Sequence, residues 1–425
     1  DAYDAMTSKR SYRDPLPQQL VREEFVKGIG TQFDPKYAEI MIRLIDMDSE
    51  YHMKERQETG EVRSKKEMRF DSYRSAFSDG IRIANYLTKI RIHCKGDAGA
   101  LSADPIPSLI LFDSLDARVH DHDAREKELL YLEYCEIRLD GHIINGSARD
   151  IHCSDSRLLS TRTPDWQEIY QEGIDYEIEA VRFKDHLRIR IKSDYQYIEN
   201  IIALPYSSLY SYISFTGQDC IISNIKVSKA NEPIGETEIP RIADEISYIQ
   251  GPVGDIPNLQ IDGWRSDATL GIPLGDQMEL NFNSMSLPTA RLVWHCPFVL
   301  LFSADDRKVE GKNYRELVLI RMDGECCAVE DEVKNTTNVT VNEHFGNWET
   351  WKQKNKDGIT CRITICRKGN TVTTSTQAAG ITTYSVTTLI HDDLQNICVA
   401  LTGDQCALTD IHVANISAAD KSENV

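Results

Sequence analysis

Hydrophobic residues follow two different periods along the chain, one near its start and another over most of the rest. From Gln18 to Gly28, Val21 and Phe25 lie four residues apart and Ile29 follows, so the apolar positions fall on a single stripe. Glycines then interrupt this pattern. The segment therefore predicts one short amphipathic helix.

A second helix is predicted directly afterwards. Asp34 followed by Pro35 is typical of a helix start, because an Asp side chain caps the first turn and proline is tolerated at the first helical position. The next apolar stripe consists of Tyr37, Ala38, Met41, Ile42 and Ile45. Two short helices leave such stripes facing water, so we expect them to need partners that this chain does not contain.

Beyond about residue 70 the period changes to two. In the segment from Ile359 to Ile365, apolar residues at every second position alternate with Thr360, Arg362 and Thr364. This alternation is typical of a strand with one buried face. The sequence thus predicts a mainly β fold for the larger part of the chain.

An internal repeat divides this β region into two copies. The segment Ser214–Cys220 reappears 186 residues later as Ala400–Cys406. Further echoes follow in the same order: Leu109 to Phe112 with Val299 to Phe302, Asp140 with Asp323, Trp166 with Trp348, Gly173 with Gly358, and Arg182 with Arg367. Short antiparallel strands in a duplicated unit of about 150 residues predict two tandem β-sandwiches of the jelly-roll type.

Charge and composition exclude several functions. The chain carries 67 acidic and 48 basic residues, a net charge of −19, so we expect no nucleic-acid polymer among its partners. No apolar run is long enough to cross a membrane, which predicts no membrane segment in this chain. The 11 cysteines lack zinc-ribbon spacing and are expected to be reduced thiols in a cytoplasmic protein.

Two ordered motifs carry the strongest chemical signal. The block DAYDAMTSKRSYR spans Asp1 to Arg13, and GTQFDP spans Gly30 to Pro35. Both resemble the late signatures of bacterial HD-GYP domains, which belong to the HD superfamily and hydrolyse cyclic di-GMP. The resemblance covers residues 1 to about 48. It implies that the chain is the C-terminal part of a metal-dependent phosphodiesterase that acts in signal transduction.

The resemblance also implies roles for individual residues. Asp1 matches a metal-ligand aspartate, and the metal ions would be divalent iron or manganese. Arg10 and Arg13 match positions that contact the phosphates of the cyclic dinucleotide, a task that suits guanidinium groups. Many family members have Lys where Arg13 stands. Asp4 would not bind the metal ion itself and would instead fix the helix or orient a residue that binds the metal.

Family membership does not make this chain active. The His-Asp pair and the Gly-Tyr-Pro segment that define the activity are absent and would precede Asp1. We therefore expect the full-length protein to be a phosphoric diester hydrolase, and this chain alone to bind no cofactor and to be inactive. The missing N-terminal part could anchor the full-length protein to a membrane.

A weaker resemblance concerns the second sandwich. Trp348 and Trp351, then Gly358 and the segment from Arg367 to Val372, resemble concanavalin-like jelly-roll modules of carbohydrate-active proteins. Trp348 and Trp351 are thus candidate platform residues for a sugar ring, although filling the sandwich core is the favoured role. The alternative function is a pair of carbohydrate- or protein-binding modules with no catalytic activity. Homodimer formation stays open.

The resulting domain prediction has six segments. They are the C-terminal helices of a truncated HD-GYP domain at 1–50, a charged linker at 51–70, the first sandwich at 71–230, a proline-rich linker at 231–258, the second sandwich at 259–418 and a tail at 419–425. The sandwiches are expected to regulate or scaffold the hydrolase.

Overall fold

The protein forms two compact units, each built around one β-sandwich. The computed structural model describes residues 2–7, 16–48, 62–64, 67–97, 105–121, 126–127, 129–159, 165–290, 295–391, 394 and 396–415. The first unit comprises Asp1–Val21 and Asp48–Ile246, and the second comprises Arg22–Met47 and Ser247–Val425. The predicted fold class is confirmed, since the chain is mainly β with tandem antiparallel sandwiches and a short helical part.

Five helices lie within the described residues, and their starts follow local capping signals. They are α1 (Ala2–Thr7), α2 (Gln18–Gly28), α3 (Pro35–Met47), α4 (Trp166–Glu172) and α5 (Trp348–Asp357). α2 has the predicted bounds. α3 begins at Pro35 because the Asp34 carboxylate accepts hydrogen bonds from the backbone amides of Lys36 and Tyr37, at 3.0 and 3.3 Å. Asp165 and Asn347 cap α4 and α5 in the same way.

The first sandwich consists of an eight-stranded and a five-stranded sheet. Its strands are β1 (Val62–Ser64), β2 (Met68–Phe70), β3 (Ile81–Arg82), β4 (Tyr86–Gly96), β5 (Ile106–Asp113), β6 (Leu132–Arg138), β7 (Ile143–Asn145), β8 (Asp150–Leu158), β9 (Ile174–Phe183), β10 (His186–Lys192), β11 (Gln196–Ala203), β12 (Tyr212–Gln218) and β13 (Cys220–Pro233). The larger sheet has the order β1-β13-β4-β9-β10-β11-β8, with β2 also paired to β13, and the smaller has the order β3-β12-β5-β6-β7. One core cluster joins residues of both sheets, including Ile90, Ile178, Leu109 and Phe215.

The second sandwich consists of a seven-stranded and a five-stranded sheet. Its strands are β14 (Leu259–Ile261), β15 (Ile272–Pro273), β16 (Gln277–Ser286), β17 (Pro297–Ser303), β18 (Arg315–Arg321), β19 (Cys326–Ala328), β20 (Val333–Val341), β21 (Ile359–Lys368), β22 (Thr371–Ala378), β23 (Ile381–Leu389), β24 (Cys398–Gly403) and β25 (Cys406–Asn415). The sheet orders are β14-β25-β16-β21-β22-β23-β20 and β15-β24-β17-β18-β19.

The two sandwiches share one strand order and equivalent backbone contacts. The Arg74 amide donates to the Gly217 carbonyl at 3.1 Å, and the Arg265 amide donates to the Gly403 carbonyl at 2.8 Å. Both arginines have a positive φ, 56° and 51°. Equivalent positions can therefore be assigned between the copies from strand register alone.

The equivalent core positions differ in chemistry. On the inner face of the larger sheet, the first sandwich has Ile189, Ile191, Ile198 and Ile202, and the second has Thr374, Thr376, Thr383 and Thr387 at the same registers. All eight side chains are buried. The second sandwich thus has hydroxyl groups in its core where the first has only hydrocarbon.

Two expectations were wrong, one about the predicted linker at 51–70 and one about the packing partners of the helices. The charged segment at 51–70 contains β1 and β2, which pair with β13. The helices also find partners inside this chain, because Phe25, Ile42 and Ile45 are buried and belong to the same compact unit as the second sandwich. In the described part of the chain, no helix has the length and apolarity needed to cross a membrane.

Candidate functional site

Most of the residues implied by the HD-GYP resemblance lie outside the described part of the chain. Asp1, Arg10 and Arg13 are not among the described residues. Asp4 lies within α1, and only its backbone is described. Their roles therefore stay predictions.

The second motif, GTQFDP, forms the turn between α2 and α3. The Gly30 amide donates to the Phe33 carbonyl at 2.9 Å, with Gly30 at a φ of 71° that favours glycine. A Cβ atom on Gly28 would lie only 2.5 Å from the Phe33 ring, which itself packs against Phe25 with 4.7 Å between centroids. With Asp34 capping α3, each of these motif residues has a local structural task.

A buried ion cluster joins α2 to the second sandwich. The Arg22 guanidinium donates to Asp404 at 2.8 Å and to Asp46, on α3, at 2.6 Å. His295 Nδ1 lies 2.7 Å from the Asp404 carboxylate, and His295 Nε2 lies 3.7 Å from Glu23. The side chains of Arg22, Glu23, Asp404 and His295 are each at most 3% exposed.

Burial and charge act in opposite directions on the two acids of this cluster. Burial of Asp404 acts to raise its pKa, but Arg22 and His295 outweigh it and hold the pKa well below its usual range. Burial raises the pKa of Glu23, and the charges of His295 and Arg22 oppose this effect only in part. Asp404 is therefore the ionised partner of Arg22, and Glu23 is the acid that is protonated more readily.

A second buried arginine links α3 to the same sandwich. Arg265 donates to Glu316 at 2.7 Å and to Glu39, on α3, at 3.0 Å. Tyr314 donates to Glu316 at 2.7 Å. Two arginine-centred clusters thus hold the helical hairpin α2–α3 against the second sandwich.

The first sandwich contains the equivalent of this second cluster without a helix. Arg74 forms an ion pair with Glu133, and Tyr131 donates to Glu133 at 2.8 Å. Asp121 lies 2.8 Å from Arg74, in the role that Glu39 has in the second unit. The arginine, glutamate and tyrosine therefore belong to the sandwich itself, and the helix supplies only the last carboxylate.

The tryptophan pair of the second sandwich lies at α5. Trp351 is fully buried, and Trp348 is 41% exposed. Their rings meet edge to face with 5.8 Å between centroids, and Trp348 also contacts Phe345. In this conformation only Trp348 can meet a ligand.

The described residues hold no cluster that fits the metal ions of the implied family. Among them, no group of three or more His, Cys, Asp or Glu side chains is arranged to bind a metal ion. We derive no catalytic step through a metal from these residues. What the arrangement around Arg22 and Arg265 can do is fix the position of α2 and α3.

Sequence patterns did not indicate these buried charges. Arg22 and Glu23 stand in a helix rich in charged residues and look like surface positions. One signal lay in the repeat, because register places Asp404 where the first copy has Gln218.

No protein-family model matches the chain, and no curated protein matches it.

Proposed function

We propose that this chain is the C-terminal part of a metal-dependent cyclic di-GMP phosphodiesterase of the HD-GYP type, and that its β-sandwiches regulate or scaffold the enzyme. The observation that carries the proposal is the ordered pair of motifs, DAYDAMTSKRSYR and GTQFDP. In this proposal Asp1 binds a metal ion, and Arg10 and Arg13 contact the phosphates of the dinucleotide. In the same proposal, the remaining metal ligands belong to the part of the HD-GYP domain that precedes Asp1.

The exposed apolar residues of α3 indicate that an additional domain packs against this helix. Tyr37, Ile40, Leu44 and Met47 are exposed and follow the spacing of one helix face, while Ala38, Ile42 and Ile45 are buried on another. A helix with apolar residues on two faces is typical of a position between two packed layers. In the proposal, the hydrolase domain covers the exposed face.

The two buried arginines support a regulatory or scaffolding role for the second sandwich. Arg22 on α2 pairs with Asp404 of the sandwich, and Arg265 of the sandwich pairs with Glu39 on α3, so a change in the sandwich would displace the helices. Breaking a buried ion pair is costly, which makes the connection stiff. In the proposal, the helices transmit the state of the sandwich to the residues of the first motif.

The test is hydrolysis of cyclic di-GMP by the full-length protein purified with iron or manganese. Arg13→Ala is expected to raise KM about 10–100-fold, because it removes a charge-assisted contact to phosphate. Asp1→Asn is expected to lower kcat. Lys36→Ala changes an exposed cation on α3 and should leave both constants unchanged.

The proposal fails if the wild-type protein cleaves no cyclic di-GMP under conditions in which an active family member does. It also fails if Arg13→Ala and Lys36→Ala behave alike. Product analysis by chromatography distinguishes the linear dinucleotide from the intact substrate.

A further inference from the structure

Glu23 and His295 form a buried acid–base pair beside the ion pair of Arg22 and Asp404. His295 Nε2 lies 3.7 Å from the Glu23 carboxyl group, and the two side chains are 0% and 1% exposed. The Nε2 atom has no hydrogen-bond partner among the described residues. The part of α2 that begins at Arg22 belongs to the same compact unit as His295, so this contact joins α2 to the second sandwich.

The other ring nitrogen of His295 decides which proton is free to move. Nδ1 lies 2.7 Å from the Asp404 carboxylate. Burial acts to raise the pKa of Asp404, but Arg22 and His295 hold that pKa well below its usual range, so the carboxylate is ionised and can only accept a hydrogen bond. Nδ1 therefore carries a proton, and Nε2 is the nitrogen that gains or loses one.

The contact between Nε2 and Glu23 is favourable only when one proton lies between them. Without this proton, the lone pair of Nε2 faces an ionised carboxylate, and the two acceptors repel each other. With it, a carboxyl O–H group faces a neutral imidazole or a carboxylate faces an imidazolium, and both arrangements are attractive. Burial raises the pKa of Glu23, and the charges of His295 and Arg22 oppose this effect only in part, which favours keeping the proton in the pair.

The acid–base pair is surrounded by charged and titratable groups from both helices and from the sandwich. Among the described residues, α2 supplies Arg22 and Lys27, and α3 supplies Asp46. The sandwich supplies Asp404 and, next to it, the thiol of Cys406, whose pKa is raised well above its usual range by burial. Arginine, lysine and aspartate side chains ordinarily keep their charge between about pH 6.5 and 9. A change of protonation in this pH range is therefore expected from the acid–base pair itself.

We propose that Glu23 and His295 form a pH-dependent latch, which holds α2 on the second sandwich while the pair retains one proton and releases α2 when that proton passes to water at higher pH. The glutamate and histidine of an opened chain lose their protons near about pH 4.3 and 6.5. Above about pH 6.5 the closed pair thus binds one proton and the opened pair binds none, so the closed state loses stability as the pH rises. The proposal concerns the attachment of α2 and does not depend on the phosphodiesterase proposal.

The test is hydrogen exchange of the α2 backbone amides in the 425-residue protein between about pH 6.5 and 9, with each rate corrected for the intrinsic pH dependence of exchange. In the wild type, the protection factors of these amides are expected to fall by up to about tenfold per pH unit, because the closed state binds one proton more than the opened state.

Glu23→Gln is the variant that removes the titrating carboxyl group. Its side-chain amide can donate to Nε2 at any pH, so the protection of α2 should not change across the same pH range. Glu24→Gln is the matched control, because Glu24 is the next residue of α2 and its side chain is 51% exposed. The protection factors of this control should fall as they do in the wild type.

The proposal is overturned if the protection of α2 in the wild type stays constant or rises above about pH 6.5. That measurement needs no variant. The proposal is also overturned if α2 of Glu23→Gln is protected at pH 6.5 and then shows the same fall as the wild type and Glu24→Gln. A wild-type fall together with loss of α2 protection in Glu23→Gln at every pH supports the latch, because removal of the carboxyl group then abolishes docking.

Discussion

Asp404 pairs α2 with the second sandwich through its buried ion pair with Arg22. Its carboxylate contacts both Arg22 and His295, and all three side chains are buried. The equivalent residue of the first sandwich is Gln218, which carries no charge. The carboxylate that pairs with Arg22 is thus absent at the equivalent position of the first copy.

Asp404→Asn is expected to reduce the free energy of unfolding of the second unit by roughly 3–5 kcal/mol near neutral pH, because it leaves Arg22 with an incomplete set of buried partners. The folded-state pKa of Asp404 is depressed, so its stabilisation is present above the unfolded pKa of about 3.9 and is lost as the pH falls below that value. The difference between variant and wild type should therefore shrink below about pH 4.

Hydrogen exchange of α2 and α3, combined with urea unfolding across this pH range, checks the prediction. Asp276→Asn, an exposed aspartate of the same sandwich, is the control and should change the unfolding free energy by less than about 0.5 kcal/mol. Equal protection of α2 in Asp404→Asn and wild type would refute the role assigned to Asp404.

Single residues were the hardest part of the site to predict from the sequence. Arg22, Glu23 and His295 have ordinary neighbours in the sequence, and only the fold brings them together over more than 270 positions. The residues of the turn were easier. Asp34 and Pro35 act through local geometry, and the sequence pattern predicted their roles.

At the scale of the element, local signals were sufficient for helices but not for short strands. α2 and α3 have the predicted starts because the signals that determine them lie within the same stretch of sequence. These signals are the apolar stripes, the glycines that follow α2 and the Asp34 cap of α3. β1 and β2 lie in a highly charged segment, and their pairing partner, β13, lies about 150 residues away in the chain. Their strand structure comes from that long-range pairing, which a local pattern cannot indicate.

The buried threonines of β22 and β23 lead to a stability prediction. The Thr374 and Thr383 hydroxyls have no hydrogen-bond partner among the described residues, and both side chains are fully buried. Valine has the same shape without the hydroxyl. Thr374→Val and Thr383→Val should therefore each raise the free energy of unfolding by about 1 kcal/mol, measured by calorimetry.

Thr388 provides the control, because it lies on β23 but is exposed on the opposite face. Thr388→Val should change stability by less than about 0.5 kcal/mol. A loss of stability in Thr383→Val would contradict the prediction and would mean that this hydroxyl makes a favourable interaction in solution.

At the scale of the whole molecule, the repeat was visible in the sequence and the attachment of the helices was not. Echoes such as Trp166 with Trp348 occupy equivalent positions at the starts of α4 and α5. By contrast, the apolar stripes of α2 and α3 were interpreted as needing partners outside this chain, and that prediction was wrong. The second sandwich is that partner because its Asp404 and Arg265 complement Arg22 and Glu39 on the helices. Such complementarity between distant segments produces no periodic pattern in the sequence.

We propose that the helical hairpin, which is held by the second sandwich, belongs to a cyclic di-GMP phosphodiesterase. The most direct measurement is the rate of cyclic di-GMP hydrolysis by the full-length protein for the wild type, Asp404→Asn and Asp276→Asn. We predict that the wild type and Asp276→Asn hydrolyse the dinucleotide equally fast, and that Asp404→Asn differs from both by several-fold. No hydrolysis by the wild type, or equal rates for all three proteins, would contradict the claim.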